Sequence, residues 1–163
     1  MSNIKVFAVV SLVLFTLTGC FTGLLGDNFI DSDIVGEKKC REVLRCFNEN
    51  DNEGLKKMLC AQTSSIYDID EQIQSAMDFF EGKIVSYKSI NGISGGGEAV
   101  DNGKVTWLDI HPLIQNIKTD ADKVYEIRFY SYLVYAKDKD YVGISKMLIT
   151  DEKGDERVIG RLL

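Results

Sequence analysis

The sequence predicts an α+β domain in which N-terminal helices cover one face of an antiparallel sheet of four to five strands. Three observations carry this reading. Apolar stripes with helical spacing crowd the region between Glu37 and Gly82. Runs of β-branched and aromatic residues fill the chain from Lys83 onward. Turns of about four residues join those runs, as antiparallel neighbours require.

Composition sets the outer bounds. The chain has 163 residues, enough for one domain and a short leader, with 45% hydrophobic and 27% charged residues. A net charge of −6 and the lack of any Lys/Arg run argue against a nucleic-acid partner.

The leader comes first. Lys5 precedes an apolar run, Val6–Leu17, of about a dozen residues, whereas a membrane-spanning helix needs about 20. Residues 1–19 therefore read as a signal peptide. The run closes on Leu17-Thr18-Gly19-Cys20, which resembles the bacterial lipobox: small residues before a cysteine that is lipidated and becomes the new N-terminus. Lipidation at Cys20 predicts a palmitate-type anchor at the extracytoplasmic face of the cell membrane, since each buried methylene contributes about 0.8 kcal/mol. Residues 20–36 follow as a tether, and residues 37–163 as the domain. Three Asp residues in Phe21–Gly36 match no calcium-loop spacing, so no metal is expected there.

Cys40, Val43, Leu44 and Phe47 fall at i, i+3, i+4 and i+7 and define a first helix. Asp51 or Asn52 caps a short second helix carrying Leu55, Met58 and Leu59. After a polar turn, Gln62–Ser65, a third helix is capped by Asp68 or Asp70, striped by Ile69, Ile73, Ala76, Met77 and Phe80, and ended by Gly82. Cys40 and Cys46 lie on different sides of one helix and cannot pair, while a Cys46–Cys60 bond is sterically open. The only His is far off in sequence, so these thiols read as small buried apolar groups rather than nucleophiles.

Lys83–Ser94 is the first strand expected. Gly95-Gly96-Gly97 then marks a hairpin or bulge, because a phosphate loop needs Gly-Lys-Ser/Thr opening a helix. Lys104–Lys118 is the second strand, with Pro112 at an edge or bulge. The central strand is Lys123–Ala136: alternation puts Tyr125, Ile127, Phe129, Ser131, Leu133 and Tyr135 on one face, and Glu126, Arg128, Tyr130, Tyr132 and Val134 on the other. Tyr141–Asp151 and Arg157–Leu163 complete the set.

Long strands behind a helix group resemble the cystatin-like superfamily that includes nuclear transport factor two, which implies a bent sheet forming an open cone. A closer resemblance lies in Asp70-Glu71-Gln72-Ile73, Phe79 through Tyr87, Gly95-Gly96-Gly97, Asn102 through Thr106, Tyr125-Glu126-Ile127, Tyr132-Leu133-Val134 and Val142 through Ser145. These motifs, spread over roughly Glu37 to Ile149, are similar to a family of bacterial lipoproteins known only as domain of unknown function 5104. The resemblance implies no catalytic residues.

Two functional readings follow. The first is a non-enzymatic, anchored module that binds a small molecule or an exported protein, with Trp107 and Tyr132 as candidate contacts. The second is a small isomerase- or dehydratase-like enzyme. Asp109 and His111, two apart on one strand, share a face and supply a base, and Tyr130 supplies a hydrogen-bond donor. The expectation favours binding, with the Asp-x-His pair on a water-exposed face beside Pro112. No cofactor is expected.

Overall fold

The computed structural model describes residues 30–162, so the stretch expected as a signal peptide, Cys20 and the first part of the expected tether lie outside the described residues. Among the described residues, four helices precede the sheet: α1 (Ser32–Glu49), α2 (Asn52–Met58), α3 (Ala61–Ser64) and α4 (Ile69–Phe79). Among the described residues, no helix is long and apolar enough to cross a membrane.

Helix α1 starts at Ser32, five residues before Glu37, where the predicted helical region begins, because Asp31 caps it by accepting from the Ile34 amide at 3.1 Å. Residues 32–36 are thus helical, and Gly36 is buried. A Cβ at Gly36 would lie 2.1 Å from the Gly92 carbonyl oxygen, so only glycine lets α1 approach the backbone before β3. Asn50 closes α1 in the left-handed conformation at φ 57°, its amide donating to Cys46 and Phe47 carbonyls. Asp51 caps α2 by accepting from Gly54 and also binds Arg45, which pairs with Glu42 and Glu49 as well. The stretch expected as a polar turn at Gln62 is instead the single helical turn α3.

The sheet has eight strands, not four to five: β1 (Ile84–Ser86), β2 (Ser89–Asn91), β3 (Gly96–Asp101), β4 (Lys104–Ile110), β5 (Leu113–Thr119), β6 (Val124–Tyr135), β7 (Gly143–Asp151) and β8 (Glu156–Gly160). The difference has a physical cause. His111-Pro112 interrupts the run expected as one strand, since Pro cannot donate to a ladder, and β4 and β5 then pair with successive parts of β6. The run expected as the first strand is two short strands, β1 and β2, both paired with β5. Strand β3, containing two of the three consecutive glycines, pairs with β4. All these pairings are antiparallel, and the sheet is open, with β8 joined only to β7.

Strand β6 lies between β4/β5 and β7. Tyr125, Ile127, Phe129 and Ser131 are buried, as alternation predicts. Phe129 and Ile127 join Ile114, Met147 and Ile149 of the sheet with Val43, Phe47, Ile73 and Met77 of the helices in one core. Each such side chain contributes about 1.5–3 kcal/mol on burial. Tyr125 stacks on Phe80 at 4.4 Å and directs its hydroxyl to the Phe79 carbonyl at 2.9 Å, tying α4 to the sheet.

The alternation fails beyond Ser131. Asp109 pairs with Tyr132 but Leu108 with Val134, so Leu133 is an extra residue in β6. The phase then flips: Tyr135 leaves the face predicted for it and lies beside Tyr132, ring centroids 5.3 Å apart.

Cys40, Cys46 and Cys60 are all free and fully buried, so the Cys46–Cys60 bond left open by the sequence does not form. Burial pushes the Cys40 thiol up to about 12 and Cys46 up to about 11.

Two predictions follow from this packing. Phe129→Ala should cost about 3–5 kcal/mol, whereas Lys139→Ala on the exposed turn after β6 should cost under about 0.5 kcal/mol; urea unfolding followed by circular dichroism checks both, and equal losses would mean that Phe129 does not anchor the core. The thiols set a pH dependence: the folded chain keeps protons that unfolded cysteines release, so their contribution is complete below the ordinary thiol value and fades as pH rises toward 11 and 12. Unfolding midpoints measured from pH 8 upward should fall, and Cys40→Ala should flatten the slope.

Candidate functional site

The residues singled out by sequence converge where β3, β4 and the far end of β6 meet. Facing positions pair Gly97 with Asp109 and Ala99 with Trp107 across β3 and β4, then Asp109 with Tyr132 and Trp107 with Tyr135 across β4 and β6. Paired residues share a sheet face, so the register lines up Trp107, Asp109, Tyr132 and Tyr135. The flip at Leu133 is what brings Tyr135 into this set.

Asp109 is the polar centre. One carboxylate oxygen accepts from the Gly97 amide at 2.9 Å, and the other lies 2.7 Å from His111 Nε2. Its side chain is only 13% exposed, which corrects the expectation of a water-exposed pair: the carboxylate is largely enclosed because two donors replace water. His111 is held by its own backbone as well, its amide donating to the Gly95 carbonyl and its carbonyl accepting from the Ser94 amide and hydroxyl. The Tyr130 ring stands 4.5 Å from the imidazole, tilted by 58°. The structure therefore joins Asp109, His111 and Tyr130 as a chemical group: a carboxylate orients Nε2, leaving Nδ1 toward Gly95.

The second group is aromatic. Tyr132 touches Tyr135 and Tyr141, and Tyr135 stacks on Tyr141 at 5.1 Å and 29°. The Tyr132 hydroxyl is raised above the ordinary tyrosine range, first by burial and then by the charge of Asp109, while a hydrogen bond from Trp107 acts in the opposite sense. The edge of the Trp107 ring abuts β3: a Cβ at Gly97 would sit 2.6 Å from the indole. Beside these rings is a cavity of about 370 Å³ lined by Ala99, Thr106, Trp107, Tyr135 and Lys137. Thr106 is an extra residue in β4, since Ala99 pairs with Trp107 but Val100 with Val105, and this bulge sets its side chain in the same wall. The Ala136 amide donates to the Thr106 carbonyl at 2.8 Å and fixes the two walls together.

Sequence reasoning missed Tyr135, Thr106 and Lys137 as neighbours of Trp107, because two bulges decide their side and neither has a local signature. It also missed a groove of about 780 Å³ between α4 and strands β6 to β8, lined by Asp70, Glu71, Asp78, Phe79, Glu81 and Arg157 among others. Much of that groove is internally satisfied: Lys56 pairs with Asp70, Lys123 with Glu81, and Arg157 lies over the Phe79 ring at 4.5 Å. Among the described residues no group of three or more His, Cys, Asp or Glu side chains is arranged to hold a metal ion.

Helices backing an open antiparallel sheet, with an aromatic cavity at the end of its central strand, define an α+β single-sheet domain. Residues 42–152 match the family described as a domain of unknown function, DUF5104, and the chain belongs to that family. The matched span runs from within α1 to just past β7 and includes both the Asp109 group and the aromatic cavity. No curated protein matches the chain.

The packing of Gly97 under Trp107 yields a prediction. Gly97→Ala should displace the indole, seen as a shifted side-chain N–H resonance of the single Trp, and should lower stability by about 1–3 kcal/mol, as overpacking does. An unmoved resonance would mean that the close approach does not position the ring.

Proposed function

We propose that this protein is a membrane-anchored extracytoplasmic lipoprotein whose domain is a non-enzymatic binding module, with the aromatic cavity as its ligand site. The anchor rests on Leu17-Thr18-Gly19-Cys20 directly after a short apolar run. The single observation that carries the binding reading is the cavity of about 370 Å³ walled by Trp107 and Tyr135. Its volume lies in the range of small-molecule sites, and its walls are rigid aromatic rings with few polar groups, which is how such sites are built. Tyr132 acts behind the wall, holding Tyr135 and meeting Trp107. The helix-backed sheet is also compatible with the cystatin-like resemblance.

A second reading has one observation in its favour, the Asp109–His111 contact of 2.7 Å with Tyr130 against the imidazole. In an isomerase or dehydratase, His111 would take a proton from a carbon acid, Asp109 would hold the ring, and Tyr130 would donate to the developing oxyanion. The binding reading is preferred because the cavity is lined by Trp107 and Tyr135 rather than by Asp109 or His111.

Two experiments test the proposal. Fatty-acid labelling should mark the wild-type protein and not Cys20→Ala; equal label in both would remove the anchor. In a fragment screen read by the emission of Trp107, the single Trp, hits should weaken at least about tenfold in Tyr135→Ala, as loss of an aromatic anchor does, and change less than about twofold in His111→Gln. Hits abolished by His111→Gln and indifferent to Tyr135→Ala would favour the catalytic reading.

A further inference from the structure

Resting on the cavity as the binding site, we infer that its ligand class is a planar ring bearing a carboxylate or similar anionic group, read by Lys137. The walls come first. Trp107 and Tyr135 occupy directly paired positions on neighbouring strands, which lie about 4.8 Å apart, and both line the cavity, giving it an aromatic surface. Such a surface favours a flat ring in offset or edge contact. A volume of about 370 Å³ admits one or two fused rings with a substituent.

The polar groups then narrow the choice. The Thr106 hydroxyl already donates to the Ala99 carbonyl at 3.2 Å. The indole edge is pinned against Gly97, and its hydrogen bond is to Tyr132. Asp109 is committed to Gly97 and His111. Lys137, by contrast, enters none of the ion pairs or hydrogen bonds of the described residues, although carboxylates are plentiful in this chain. It is an uncommitted ammonium at the rim of an aromatic cavity. An ammonium donates and cannot accept, so it recognises an acceptor and gains most from an anion. A cationic ring, which the aromatic walls alone would welcome through cation–π attraction, meets like charge instead. The net charge of −6 makes the whole molecule a poor attractor for anions, so selectivity must come from this local contact.

The test uses three probes of one shape: 2-naphthoate, neutral 2-naphthylmethanol and 2-naphthylmethylamine. Each is titrated into the protein while the Trp107 indole N–H resonance is followed by NMR. The naphthoate should bind at least about tenfold more tightly than the amine, the alcohol falling between, as hydrogen bonds to charged groups imply. Lys137→Gln, a change at an exposed position, should erase the difference between naphthoate and alcohol while the alcohol still binds. Equal affinities in the wild type, or a preference for the amine, overturn the ligand class and leave the cavity intact. No movement of the indole resonance with any probe overturns the cavity as a binding site, and the inference with it.

Discussion

Strand β6 carries Tyr125, Ile127 and Phe129 into the core while bonded along both edges, and a slip of one residue would bury Glu126 and Arg128 instead. Burying unpaired charge is costly, which fixes the register of β6 and, through it, that of its neighbours. Strands β4 and β5 read their positions from one edge and β7 from the other. Helices α1 and α4 then pack on the face that this register exposes, with the Tyr125 hydroxyl as the polar tie to the end of α4.

The cavity depends on the same strand where its regularity ends. With strict alternation through Tyr135, that ring would point to the core side and Trp107 would have no partner. The extra residues Leu133 in β6 and Thr106 in β4 rotate the side chains so that two rings, a hydroxyl and an ammonium meet. Bulges are common beside functional sites for this reason: they re-aim side chains without breaking the sheet.

Helix-period and strand-period patterns were legible where one face is buried and the other wet. Val43, Phe47, Ile73, Met77, Ile127 and Phe129 all lie in the core that those patterns indicate. The helix start was not legible, because Asp31 caps it outside the apolar stripe and Gly36 packs by backbone contact rather than by a side chain. The strand count was misread where Pro112 breaks a continuous apolar run. At the site, Asp109 and His111 were visible as a pair by spacing, but their enclosure was not, because the Gly97 amide that satisfies Asp109 comes from another strand. Lys137 had no sequence signal at all: an ammonium two residues past a strand looks like any turn residue until its neighbours are known.

The three buried thiols carry a consequence for a chain proposed to fold outside the cytoplasm. In the finished domain their safety is a matter of enclosure, to which raised thiol values add at Cys40 and Cys46. At neutral pH, a thiol pushed up to about 12, as Cys40 is, holds thiolate on the order of one part in 10⁵. Nothing comparable would shield them in an unfolded chain under the oxidising conditions that the proposed export implies. Under the proposed export, native folding would have to bury Cys40 and Cys46 in the core before a wrong disulfide forms. Arg45, which joins α1 to the start of α2 through local ion pairs, sits beside Cys46.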